Sequence, residues 1–236
     1  LKRTFKVLDH GFVTLRNVSG PTRRIDQEFD ADDTDPANSA RMSFDLTDSD
    51  RTREDDLKLC NYLMKHWHTT PTEMVEIWLE MKLPIFIARQ FVRHRTATIN
   101  EVSGRYVTLP EEWYIPDVVG GKAKSNKQGQ EDNLNEEIQL YFREDLNNSC
   151  RDSYSLYKYY IHQGVAPEHA RIFLHLNHYT HWLWKQDLHN MMHFLSLRMD
   201  EHAQVEARRY ANVIYNLLKE VLPETMKLFE KYRMYK

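Results

Sequence analysis

The residues best able to do chemistry crowd into two short runs, Gln90-Phe91-Val92-Arg93-His94-Arg95 and Asn100-Glu101-Val102-Ser103-Gly104-Arg105-Tyr106. Arginine offers several fixed donors under permanent charge, and glycine lets a backbone come close to a ligand. Ser103-Gly104-Arg105 therefore suits an anionic phosphate: a hydroxyl, an unobstructed backbone and a guanidinium that can bind in bidentate fashion. Surface arginines paired with Glu101 and neighbouring acids are the bland alternative, and for any single arginine it would prevail. An interleaved Arg-His-Arg plus Glu-x-Ser-Gly-Arg within 13 residues tips the balance to a phosphate site.

Periodicity gives the elements that must position these groups. A helix opening near Pro84 would set Gln90, Arg93 and His94 on one face, at i, i+3 and i+4, with Arg93 and Arg95 near its end. Upstream, Val75-Glu76-Ile77-Trp78-Leu79-Glu80-Met81-Lys82-Leu83 alternates apolar and mostly charged residues, which predicts a strand with one buried face. Thr70-Pro71-Thr72-Glu73 has capping-box spacing and predicts a helical turn before that strand. Helices are also expected over 54–66, within 131–161, over 187–198 and over 203–220. The last two carry apolar stripes, Leu188, Met191, Met192 and Leu195 in one and Ala207, Tyr210, Ala211, Ile214, Leu217 and Leu218 in the other. Tyr179-Thr180-His181-Trp182-Leu183-Trp184 can form a further strand. The mixture predicts an α+β fold, an antiparallel sheet flanked by helices, in one domain spanning 1–236. Mobile loops are expected near 26–38, read as a solvated acidic stretch, and near 117–132.

Composition narrows the classes. Hydrophobic residues make up 41% of 236, with only 7 Gly and 8 Pro, which excludes a disordered or fibrous chain. No apolar run approaches the roughly 20 residues a membrane span needs. The opening Leu1-Lys2-Arg3-Thr4-Phe5-Lys6 holds no long apolar stretch, so a soluble, cytoplasmic location is expected. A net charge of −3 argues against a long nucleic-acid partner, so phosphate binding must come from a local cluster. Cys60 and Cys150 lack paired spacing. Cys60 shares a helix stripe with Leu57, Met64 and Trp67 and reads as a small core residue, not a nucleophile.

Arg93-His94-Arg95, seven residues and then Ser103 form the pattern RHR-x7-S, and here the chain resembles the flavin-dependent thymidylate synthases. The run from Pro84 to Tyr106, His68-Thr69-Thr70-Pro71-Thr72-Glu73, Glu168-His169-Ala170-Arg171 and Phe194 to Gln204 resemble the same family in the same order. The resemblance implies reductive methylation of dUMP to dTMP, with methylenetetrahydrofolate as carbon donor, FAD as hydride carrier and NADPH as reductant. It implies a homotetramer with active sites between subunits. Gln90, Arg93, Glu101, Ser103, Gly104, Arg105 and Arg171 would hold dUMP, and Arg198 would meet the uracil and favour ionisation at N3, making C5 more nucleophilic. Thr70, Arg93, His94, Arg95, Glu101 and the 187–193 segment would hold FAD. Ser103 lacks a nearby activating base and is expected to position substrate.

Three flavin-side positions depart from the pattern. Many relatives carry Asn, Arg and Asn where this chain has Asp187, His189 and His193, and Asp187 reads equally well as a helix N-cap. His68, Tyr106 and the aromatics of 179–184 are candidates to stack on the folate. A metal-dependent hydrolase is the runner-up, on the i, i+4 spacing of His189 and His193 and the recurrence of His175, His178 and His181. No HExxH accompanies them, and no metal is expected. A nucleotide- or RNA-binding module built on the arginines is the third reading.

Overall fold

The computed structural model of the chain describes residues 3–22, 28–45, 51–123 and 130–234. Its centre is a five-stranded antiparallel sheet in the order β1 (Arg3–Val7), β2 (Gly11–Ser19), β3 (Glu76–Pro84), β7 (Tyr179–Asp187) and β4 (Thr98–Glu101). A separate two-stranded ribbon pairs β5 (Gly120–Lys122) with β6 (Gln130–Asn133). The helices among the described residues are α1 (Asp35–Arg41), α2 (Arg53–Lys65), α3 (Thr70–Glu73), α4 (Ile85–Phe91), α5 (Glu136–His162), α6 (Pro167–Ala170), α7 (Leu188–Arg198), α8 (Val205–Val221) and α9 (Pro223–Tyr232). None of them is long and apolar enough to cross a membrane.

Period-two patterning builds the sheet as expected: Ile77, Leu79, Met81 and Leu83 are wholly buried on one face of β3. On β7, Trp182 and Trp184 take the same side. The two stripes read for α7 and α8 are buried against this face without exception. Close approach of α8 to the sheet requires Gly11, because a Cβ there would fall 2.0 Å from the Tyr210 hydroxyl. That hydroxyl donates to the Lys82 carbonyl at 2.7 Å and pins the helix to β3.

Phe194 of α7 sits edge-on to Phe91 of α4 at 4.8 Å and to Trp184 of β7 at 4.9 Å. Burial of each such ring stabilises by roughly 1.5–3 kcal/mol, and edge-to-face geometry adds to it. This aromatic joint holds the end of α4 against α7, and with it the polar groups that follow.

Several expectations change. The acidic stretch 26–38 is only partly solvated where it is described: Glu28 and Asp30 are exposed, but Asp33 is 1% exposed and Asp35 is fully buried. Asp33 accepts the N–H groups of Thr225 at 2.7 Å and Glu224 at 3.2 Å, capping the N-terminus of α9, which has no cap of its own. Pro36 stands inside the first turn of α1. In the other expected loop, 117–132, β5 and β6 pair; residues 124–129 lie outside the described residues, as do 26 and 27. The turn at Thr70 exists, but Thr69 is its N-cap and no capping box forms. A true capping box closes α2 instead, between Thr52 and Asp55. Helix α9 was not anticipated. Cys60 is buried and its thiol is pushed up to about 12 by burial, in keeping with a core role. Trp67 leaves that stripe: it lies past the end of α2 and is 64% exposed.

Candidate active site

Helix α7 begins where Asp187 accepts the Asn190 N–H at 2.9 Å and, through its other oxygen, the Asn190 amide at 2.8 Å. The N-cap reading of Asp187 is thus realised. The same helix ends on Arg198, where a cation suits the negative end of the dipole. Arg198 Nε donates to His94 Nε2 at 3.2 Å, and its Nη2 donates to the Gln90 carbonyl at 3.2 Å. The Gln90 side chain in turn hydrogen-bonds Gln204. Four residues from two stretches of sequence form one cluster.

His94 must be neutral here. Its Nε2 accepts from Arg198, so the proton sits on Nδ1. Burial, then the charges of Arg198 and His193, push its pKa down to about 4. Its ring lies edge-on to Phe194 at 4.9 Å and to His193 at 6.1 Å. The folded state resists a proton that the unfolded chain accepts near 6.5. Stability is therefore unaffected above that pH and falls as pH drops from 6.5 towards 4, where the unfolded state binds more protons. Buried His178, also lowered to about 4, acts in the same sense. Urea midpoints at pH 7 and pH 5 test this: His94→Gln should lose less stability across that interval than the parent chain. An equal loss would remove His94 from the account.

The helix does not extend as expected. It stops at Phe91 with Val92 as cap, and Arg93 and His94 occupy a following turn closed by the His94 N–H on the Phe91 carbonyl. Gln90 and His94 still meet, through Arg198. Arg93 and Arg95 point outward, exposed, with no ion-pair partner among the described residues. The turn is tied to the sheet by Gln186, whose amide donates to Thr96 at 3.1 Å.

A second cluster gathers the other arginines. Gly104 is buried, and a Cβ there would lie 3.1 Å from Leu109 and 3.3 Å from Arg171 Cδ, so the Arg171 side chain runs along bare backbone. Ser103 Oγ accepts the Arg105 N–H at 3.3 Å. Arg105 is not free: its Nε meets Glu168 at 3.2 Å, though both side chains are about half exposed and the pair is weak. No hydrogen bond or ion pair among the described residues joins this cluster to the Arg198 cluster. Glu101, at the end of β4, accepts the Thr180 hydroxyl and lines a groove of about 710 Å³ over the sheet with Arg16 and Glu80.

Three of the flavin-side residues, Thr70, His189 and His193, line two clefts, while Arg93, His94, Arg95 and Asp187 line neither and Glu101 lines the groove over the sheet. Thr70 and His68 face one of about 1090 Å³; His189 and His193 face another of about 220 Å³, and burial lowers the pKa of His189. Trp67 borders both. The donor set fits a flavin dinucleotide: the guanidiniums of Arg93 and Arg95, without ion-pair partners among the described residues, for the pyrophosphate, and hydroxyl and imidazole groups for ribityl and ring atoms. Of the folate candidates, His68 already stacks on Tyr62 at 5.9 Å, and Tyr106 is 81% exposed. Tyr179, Trp182 and Trp184 are core residues, 2% exposed or less; Trp182 still lines the groove over the sheet, whereas Tyr179 and Trp184 drop out as stacking partners. The histidines of the metal reading diverge: His175 meets Ser149, His178 stacks on Tyr154 and His181 meets Glu80. Gln204, which joins the Arg198 cluster, and Trp67, which borders both clefts, were not singled out in the sequence. Gln204 lay inside a recognised motif, and Trp67 had only its position after a helix end to betray it.

The family described as thymidylate synthase complementing protein matches residues 25–224. The flavin-dependent thymidylate synthase of Ehrlichia ruminantium (strain Gardel) is 42% identical over 234 residues, covering 98% of this chain and 74% of that protein. That of Thermus thermophilus is 43% identical over 229 residues, covering 97% and 79%. The crystal structure of a UMP/dUMP methylase, PolB from Streptomyces cacaoi, bound with 5-Br dUMP, shares the fold with a TM-score of 0.82 at 23% identity, covering 97% of this chain and 98% of its own.

Proposed function

The chain belongs to the thymidylate synthase complementing protein family, and from that premise we propose that it converts dUMP to dTMP as a flavin-dependent thymidylate synthase. Methylenetetrahydrofolate supplies the carbon, and NADPH is the proposed reductant. Bound FAD, once reduced, supplies the hydride that completes the methyl group. The observation that carries the reading is the half-buried Arg198 guanidinium, which hydrogen-bonds a histidine that stays neutral. A fixed cation of this kind favours negative charge on a uracil ring and needs no proton transfer from arginine itself. Because His94 carries no charge, it does not compete with Arg198 for that anion.

In this reading Gln90, Arg93, Glu101, Ser103, Gly104, Arg105 and Arg171 bind dUMP. The buried backbone at Gly104 and the arginines on either side take the phosphate, and Ser103 orients it. Arg105 must exchange Glu168 for phosphate, which an exposed ion pair allows at little cost. Thr70, Arg93, His94, Arg95, Glu101, Asp187, His189 and His193 hold FAD, Asp187 through the start of the helix it caps. The reading takes 1–236 as one domain working in the cytoplasm.

We also propose a homotetramer. Helix α5 leaves Ile138, Tyr141, Phe142 and Tyr159, which helical spacing sets on one side, between 46% and 56% exposed, an apolar surface that a second copy can cover. Active sites completed between subunits would account for two arginine clusters that share no hydrogen bond or ion pair among the described residues.

Methylation at C5 must expel the C5 proton, so tritium release from [5-³H]-dUMP reads the reaction directly. Release should require methylenetetrahydrofolate, FAD and reduced nicotinamide, each omitted in turn. Release that needs folate but is indifferent to flavin would sink the assignment.

A further inference from the structure

Helix α2 ends on a residue in the left-handed region. The His66 N–H bonds to the Tyr62 carbonyl and the His68 N–H to the Leu63 carbonyl, both at 3.0 Å, and Trp67 between them has φ +60°. This position after a helix end ordinarily belongs to glycine, since any Cβ is strained there. A tryptophan in it needs another reason. Core packing is not that reason, because the residue is 64% exposed.

What the indole does touch is a cation. The Arg233 guanidinium carbon lies 3.3 Å from the ring centroid, and Arg233 Nε is held by Met64 Sδ at 3.4 Å. The guanidinium thus covers one face of the indole, and the residue is still 64% exposed. Trp67 borders both the cleft of Thr70 and the cleft of His189 and His193, and Arg233 lines the second.

We propose that the open face of Trp67, backed by Arg233, is a stacking platform for a heteroaromatic ring of the flavin dinucleotide, a binding contact that rests on the flavin-dependent reading above. Indole is electron-rich and suits an electron-poor ring in offset stacking. A ring already braced from behind loses little freedom when a ligand stacks on its front. Isoalloxazine and adenine share this chemistry. The backbone strain at Trp67 is the local cost of putting an aromatic ring at that corner.

The test compares full-length parent, Trp67→Phe and Trp67→Gly by equilibrium dialysis with FAD, FMN and ADP, and by Tm without ligand. Trp67→Gly should bind FAD about tenfold or more weakly, with Trp67→Phe between it and the parent, while its ligand-free Tm equals or exceeds the parent's because glycine accepts the left-handed backbone. Selective loss of FMN assigns the isoalloxazine to the platform, and selective loss of ADP assigns the adenine. Unchanged FAD affinity in Trp67→Gly overturns the platform alone. So does weaker binding accompanied by a lower Tm or a changed oligomeric mass, since the ring would then be structural. A parent chain that binds no FAD overturns the platform and the flavin-dependent reading together.

Discussion

Arg198→Ala should lower the rate of tritium release from [5-³H]-dUMP by about 10³-fold, at the upper end of what removing one preplaced donor to a developing anion costs. Ser103→Ala should lose only roughly tenfold to a hundredfold, the value of a hydrogen bond to a charged ligand. The difference follows from surroundings. Arg198 is half-buried, anchored by Gln90 and His94, and aimed by the end of α7. Water cannot replace its charge there without losing the low-dielectric advantage. Ser103 Oγ is engaged with the Arg105 N–H in a surface turn, and no histidine or carboxylate contacts it among the described residues. Arg198→Lys separates charge from shape: a lysine keeps the cation but cannot reach both the His94 nitrogen and the Gln90 carbonyl in a fixed fork. It should fall between the parent and Arg198→Ala. Tm measured alongside excludes simple unfolding. Equal, total loss in Ser103→Ala and Arg198→Ala would overturn this ranking and count against a purely positioning role for Ser103.

Much of this architecture was legible because it is written locally. The stripes of α7 and α8 and the alternation of β3 each repeat over enough residues to define a buried face, and all of those faces are buried. The cluster at 90–106 was legible as chemistry because arginine, histidine and glycine stand closer together than structure needs. What was not legible depends on partners distant in sequence. Asp33 reads as a solvent-facing acid until α9, about 190 residues later, presents the bare N–H groups of Glu224 and Thr225. The end of α4 at Phe91 is set by packing against Phe194 and Trp184, not by a breaker in the sequence. Arg105 looked available for phosphate because Glu168 lies 63 positions away, a separation no local pattern carries. The positive φ at Trp67 contradicts the residue's own preference, so no propensity argument could have found it.

Co-expression of two inactive variants should restore activity. Within one chain Arg171 runs along Gly104 beside Arg105, while Arg198 sits with His94, Gln90 and Gln204. Both guanidiniums are expected on one nucleotide, yet no hydrogen bond or ion pair among the described residues links their clusters. The exposed apolar side of α5 gives the chain a surface by which a second copy can bring them together. Arg171→Ala and Arg198→Ala chains, each nearly inactive alone, carry complementary defects if every site draws one arginine from each of two subunits. Random assortment in a symmetric oligomer then leaves about a quarter of the sites with both arginines intact. Two different affinity tags isolate mixed oligomers, and tritium release per subunit should approach that fraction of the parent rate. If both arginines act within one chain, no mixed site is whole and the mixture stays as inactive as its components. The measurement therefore decides between a site split across subunits and one assembled by movement inside a single chain. A dead mixture of correct oligomeric mass rejects the split site while leaving the chemistry of Arg198 untouched.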